Sequence, residues 1–135
     1  MLLAPIVSRL SDQCPSLVTV LYALTGAVPT SFPAAYVYPL QDSAGDSPFL
    51  GAHSQIISVR FGVEIMLKHT GQAASGGPAA EALETIRAEV LAALKGWQPS
   101  AAHDPIAYAS GRLLSFDAGM AIWREEYVTR YDART

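Results

Sequence analysis

A single cysteine, Cys14, among 135 residues excludes an internal disulfide and a zinc site made of cysteines alone. Charged residues make up 16% of the chain and the formal net charge is −3, so the basic footprint of a nucleic-acid-binding protein is missing. The apolar opening Met1–Val7 is too short for a signal peptide, lacks a basic n-region, and is interrupted by Arg9 before it could span a membrane. No H-E-x-x-H, Walker-type or G-x-S-x-G pattern occurs, and Gly71, Gly76 and Gly77 do not have the spacing of a dinucleotide loop. The histidines, His53, His69 and His103, stand apart from any cysteine or carboxylate at ligand spacing and read as solvated or capping groups. Cys14, next to Pro15 and without a basic residue close in sequence, reads as a buried or idle thiol rather than a nucleophile. These absences leave no catalytic, cofactor-binding or metal-ligating residue to name, and they describe a soluble, cytoplasmic domain.

What is present is size and pattern. Half of the residues are hydrophobic, and 135 residues suffice for one domain that buries about two-thirds of its unfolded surface. The clearest pattern is Gln55–Lys68, where Ile57, Val59, Phe61, Val63, Ile65 and Leu67 alternate with Ser58, Arg60, Gly62, Glu64, Met66 and Lys68. A period of two over β-branched residues predicts a long strand with one buried face, the central strand of an antiparallel sheet.

Around it, Leu2–Gln13 has helical spacing at Leu2, Leu3, Ile6, Val7 and Leu10, with Pro5 in the first turn and Pro15 as the stop. Residues 17–24 read either as a short edge strand at Leu17–Leu21 or as a helical turn at Tyr22–Leu24. Phe32–Leu40 is a strand bracketed by prolines, which places it at an edge or an end. Gln41–His53 has neither period and forms a long loop carrying the apolar pair Phe49-Leu50. After a small-residue connector at 69–77, Pro78 opens a second helix over Ala79–Lys95, with Leu83, Ile86, Val90 and Leu94 on one stripe and Leu91 beside it. Gly96 suits the helix end and Trp97 covers it.

Ile106–Phe116 and Met120–Tyr131 predict a hairpin about Asp117-Ala118-Gly119. Alternation breaks at Leu113-Leu114 and Ile122-Trp123, from a bulge or from a strand covered on both faces. Glu125 and Glu126 point to opposite faces of such a strand and cannot act as an acid/base pair. The expected architecture is therefore α+β, in the order α-β-β-β-α-β-β with the first strand uncertain, as an antiparallel sheet with two helices on one face. Residues 1–135 form one domain in this reading.

Several stretches together resemble the bacteriophage tail terminator, or tail-completion, proteins. They are F-P-A-A-Y-V-Y-P-L at Phe32–Leu40, R-F-G-V at Arg60–Val63, L-A-A-L-K-G-W-Q-P at Leu91–Pro99, D-P-I at Asp104–Ile106, G-R-L-L at Gly111–Leu114, D-A-G at Asp117–Gly119, and Trp123 with Tyr127. Ile122 departs from the pattern, standing where relatives carry a second aromatic residue. The resemblance implies a non-enzymatic ring, typically of six copies, which caps the tail tube, stops its polymerisation and offers a docking surface to the head or neck. Its implied partners are its own copies, the tail tube protein and a head-completion or neck protein, with no nucleic-acid sequence recognition, no membrane and no cofactor. The implied location is the virion, with assembly in the host cytoplasm. On this reading Phe49, Leu50, Trp123, Tyr127 and Tyr131 are candidate interface residues, with Arg112, Arg124 and Glu126 as polar partners. Two other readings stay open: a head-completion or neck connector component, and a small α+β enzyme or ligand-binding subunit with a pocket near His69 or His103.

Overall fold

In the computed structural model, which describes residues 3–23, 26, 28–45, 54–68, 77–117 and 119–134, the elements in chain order are α1 (Ala4–Gln13), β1 (Thr19–Tyr22), β2 (Ala34–Ala44), β3 (Ser54–Lys68), α2 (Gly77–Leu94), β4 (Ala107–Asp117) and β5 (Met120–Arg134). The alternating stretch forms β3 and occupies the middle of a five-stranded sheet of order β1-β2-β3-β5-β4. All 15 residues of β3 pair antiparallel with β5, from Ser54↔Arg134 to Lys68↔Met120, in an unbroken register. On its other side β3 pairs antiparallel with β2, and β4 closes the far edge against β5.

The expected antiparallel α+β arrangement is corrected in two respects. The chain is mostly strand, 50% against 25% helix, and the sheet is mixed because β1 lies parallel to β2. Spatial order also departs from chain order, since β5 inserts between β3 and β4. Four residues of Thr-Val-Leu-Tyr carry a strand preference but no information about the direction of pairing, which the crossover at 23–33 decides. Of residues 17–24, Thr19–Tyr22 form a strand, and Leu24 lies outside the described residues.

β2 is an inner strand over Ala34–Val37, where β1 covers it, and forms the sheet edge itself beyond that, where Pro39 stands. Its partner β1 covers only Ala34–Val37, so Pro39 lies past the end of β1 and withholds no ladder hydrogen bond there. A register shift between Pro39 and Gln41 then lets β2 run on to Ala44, shortening the expected 41–53 loop. Residues 46–53, which include Phe49, Leu50 and His53, lie outside the described residues, as does the connector at 69–76 with His69. Bulges account for the broken alternation in β4, with register shifts at Tyr108/Ser110 and Leu113/Ser115.

The odd residues of β3 make the core. Phe61, Val63, Ile65 and Leu67 join Ala35 and Val37 of β2, Leu3, Ile6 and Leu10 from the first helix, and Ile86, Val90 and Leu94 of α2 in one buried cluster. Phe61 stacks on Tyr127 with ring centroids 5.8 Å apart. The helices are also tied to each other by polar contacts. Glu89 accepts from the Ser16 backbone N–H at 3.0 Å and from its hydroxyl at 2.6 Å. Arg9 donates to the Ala93 carbonyl at 2.9 Å while its guanidinium lies 5.0 Å from the Trp97 ring centroid. Gly96, at φ +82°, turns the chain out of α2 and donates to the Ile106 carbonyl, which brings Trp97 against the core.

A buried residue of β3 and an exposed one of α2 give a direct check. Phe61→Ala removes a fully buried, stacked ring and is expected to destabilise the fold by about 3–5 kcal/mol. Leu91, placed beside the apolar stripe by its spacing, is 36% exposed, and Leu91→Ala should change stability by no more than about 0.5 kcal/mol. Urea denaturation of the two variants measures both values.

Candidate functional site

The sheet sorts its polar residues onto two unlike faces. On the helix side, Trp123, Glu125 and Tyr127 of β5 point the same way, and the Glu125 carboxylate is buried to 1% exposure. Its Oε2 accepts from Trp123 Nε1 at 2.9 Å and from Arg87 Nε at 3.2 Å, and its Oε1 accepts from the Tyr127 hydroxyl at 2.9 Å. Arg87 comes from α2, stacks 4.2 Å from the Trp123 ring centroid, and also donates to Glu84 at 3.0 Å. Burial opposes the charge on Arg87, but the hydrogen bond and charge of Glu125 outweigh it and hold the guanidinium above its ordinary pKa. A buried carboxylate with three donors is satisfied in place, whereas one deprived of them would be severely destabilising. Gly111 of β4 makes room for the cluster: a Cβ there would lie 2.5 Å from the Tyr108 hydroxyl and 3.0 Å from both Glu125 Oε2 and Trp123 Cζ2.

Among the described residues no helix lies over the opposite face. There Arg60 donates to Glu126 at 3.0 Å, Arg124 Nε lies 3.5 Å from Glu126 Oε2, and Arg124 Nη1 donates to the Tyr38 hydroxyl at 3.3 Å. The Arg124 Nε contact is close enough for charge attraction but is not aligned as a hydrogen bond, which leaves that buried nitrogen unsatisfied. Tyr38 lies across Gly62, where a Cβ would meet its ring at 2.8 Å. Arg112 of β4 sits directly opposite Arg124, so two like charges are neighbours on this face. The Arg60–Glu126 pair is too exposed, at 42% and 19%, to matter much for stability.

The expected interface residues thus divide. Arg112, Arg124 and Glu126 come together on the open face. Trp123 and Tyr127 converge on Glu125 on the helix side, and Tyr127 is fully buried within the subunit rather than offered to a neighbour. Tyr131 lies towards the other end of β5, where its ring is 5.2 Å from that of His103. Phe49 and Leu50 fall outside the described residues. Spacing missed Arg87, which stands off the apolar stripe of α2, although an acid between two aromatics at Trp123, Glu125 and Tyr127 is a sign of a buried carboxylate seeking a cation.

Of the two places considered for a ligand pocket, His69 lies outside the described residues. Near His103 a 420 Å³ depression is lined by Ile56, Ala102, Asp104, Arg130, Tyr131 and Asp132, with Asp104 already paired to Arg130 at 3.0 Å. His103 Nδ1 is 2.7 Å from the Ser100 hydroxyl, and burial lowers the imidazole pKa. Among the described residues no group of three or more His, Cys, Asp or Glu side chains could hold a metal ion, and no helix is long and apolar enough to cross a membrane.

Among the described residues, one largely polar sheet face and the two edge strands β1 and β4 are the surfaces left open to contact. The sequence profile of the phage tail terminator proteins matches residues 1–135, and the chain belongs to that family of structural phage tail proteins. No curated protein sequence matches it. Among solved structures it is similar to a chain in the virion of a native gene transfer agent particle, with a TM-score of 0.55 and 14% identity, over 96% of this chain and 86% of that one. At that identity the likeness is one of fold.

Two expectations test this arrangement. Glu125→Ala should cost about 3–5 kcal/mol by stranding Arg87, Trp123 and Tyr127, whereas Glu126→Ala should cost at most about 1 kcal/mol, as read by thermal or urea denaturation. Alkaline pH should also weaken the fold. Burial, reinforced by the charge of Glu89, pushes the Cys14 thiol from 9.0 up to about 11, and burial with a hydrogen bond to Glu64 pushes Tyr38 from 10.0 up to about 12. Burial and Glu125 likewise raise Tyr127. In each case the unfolded chain releases its proton first, so this stability is complete below the unfolded pKa values and fades as pH rises from 9.0 towards about 12. Urea midpoints measured over that window should fall, and Tyr38→Phe should reduce the fall above pH 10.0.

Proposed function

We propose that this protein is the subunit of a ring, of six copies by family resemblance, that caps a completed phage tail tube. The ring stops further polymerisation of the tube protein and presents the docking surface for a head-completion or neck protein. The observation that carries this reading is the family match along residues 1–135. The similar chain in a virion structure supports a location in the particle, reached by assembly in the host cytoplasm.

The physics of the subunit suits the role. A ring requires one patch to meet a different patch on the next copy, with a rotation that closes. A sheet with two unlike free edges supplies two such patches, and main-chain hydrogen bonds between edges give affinity without a large apolar interface. The open face, with Arg60, Arg112, Arg124 and Glu126, offers charged contacts to the tube or neck. The 46–53 segment, with Phe49 and Leu50, and Trp123 and Tyr131 on β5 serve as further contacts. Tyr127 acts one step behind them by holding Glu125.

Particles assembled without this protein provide the test. Electron microscopy should show overlong tails lacking heads. Tails of normal length in its absence would refute the terminator role.

A further inference from the structure

We infer that neighbouring copies join through the two unlike edges of the sheet, β4 of one copy pairing antiparallel with β1 of the next. The inference rests on the ring reading above and identifies the surfaces that would make the ring. Eight large apolar side chains are exposed among the described residues, and five of them lie on these two edges. Tyr108, Leu113, Leu114 and Phe116 belong to β4, and Val18, the most exposed of the five at 63%, immediately precedes β1. Exposed apolar residues concentrated on unpaired strands are the ordinary mark of an edge that is covered in the assembly.

Strand direction selects the partner. β1 and β2 run the same way, β3 runs against them, β5 runs with them and β4 against them. Copies set side by side by a rotation about the strand axis therefore bring β4 and β1 together antiparallel, with the helices of both copies on the same side of the sheet. The rows match as well. Val20 is level with Leu113 through Ala35, Ile65 and Trp123, and all five share the helix-side face. Two residues further on, Val18 falls level with Phe116, whose row runs through Ala121 and Leu67. Beside that row a 170 Å³ apolar cleft opens between Ala79 and Leu83 of α2 and Trp123 of β5, sized for a small aliphatic side chain.

Charge decides against the two alternatives that the same apolar strand would allow. Two β4 strands paired over their full length would be centred on Arg112, setting it against its own copy beside Arg124, and like charges directly opposite destabilise a sheet. Residues 18–22 carry no charge, so β1 meets Arg112 without repulsion. Below β1 the same edge is formed by β2, where Pro39 has no N–H to donate and Asp42 is exposed, which confines the pairing to β1.

Cysteine crosslinking in assembled particles tests the pairing. A Val18→Cys/Phe116→Cys variant, oxidised in the particle, should give a ladder of covalent oligomers that ends at the ring, while neither single variant should give one. Cys14 is 1% exposed and stays out of the reaction. Covalent dimers from Arg112→Cys alone, the position that faces its own copy at the centre of a β4–β4 pair, would overturn the inference in favour of β4 pairing with itself. Particles that contain the chain on a reducing gel, yet show no ladder, would overturn it while leaving the terminator role intact. As a second variant, Leu113→Lys alters a side chain that is 49% exposed and should leave the subunit folded by circular dichroism. It should abolish ring incorporation, and normal incorporation would count against the inference.

Discussion

All fifteen residues of β3 are held to β5 in one register, and the rest of the subunit depends on that constraint. With a side-chain period of two, a slip of one residue would exchange every group between the faces. Phe61, Val63, Ile65 and Leu67 would go to the open side, and Arg60, Glu64 and Lys68 would be driven under the helices. The penalty for burying three unpaired charges far exceeds the few kcal/mol by which any one contact could favour a slipped pairing. The register therefore defines which surface is core and which is free to meet other proteins.

That sorting is sharpest at Glu125 and Glu126, which are chemically alike and adjacent in sequence. One is 1% exposed and tied to Arg87, Trp123 and Tyr127; the other is 19% exposed and shared between Arg60 and Arg124. The buried acid locks α2 to β5 and, through the space that Gly111 leaves, fixes the approach of β4. Such a bond adds little to net stability compared with a well-packed apolar replacement, but it tolerates only one placement of the helix. In the proposed ring, where both edges would meet neighbours at a fixed relation, fixed geometry would matter more than a further kcal/mol of stability.

Period and punctuation made much of this legible in the residues. The alternation in β3, the apolar spacing of Ile86, Val90 and Leu94, Gly96 after α2 and the opposite senses of Glu125 and Glu126 all follow from backbone geometry, which one sequence displays. What escaped was relational. Whether β1 runs parallel or antiparallel to β2 depends on where the chain crosses over, and four residues do not record it. Pro39 marks an edge only for the stretch of β2 beyond Val37, and how far β1 reaches along β2 is not written in β2 itself. Arg87 looks like one more charge on a wet helix until the buried carboxylate across from it is known. The Val20–Leu113 row across the sheet is likewise a property of four pairings together and of no single stretch.

The chemistry of the surface also opposes aggregation through the edges β1 and β4. A long, flat, apolar edge strand pairs indiscriminately, and natural sheets blunt such strands with bulges and charge. β4 carries both devices, bulges at Ala109 and Leu114 and the cation Arg112 set against Arg124, so its self-pairing is penalised over most of its length. β1 is only four residues long, and the chain beside it continues into Pro39 and the acid Asp42, which limits that edge to a short window. Two edges that pair poorly with themselves, yet match in direction, height and apolarity with each other, favour a head-to-tail contact over a symmetric dimer. In the proposed ring a short contact of this kind would be weak for any one pair of copies and would gain strength when each copy is held between two others, so closing the circle would matter more than forming the first dimer.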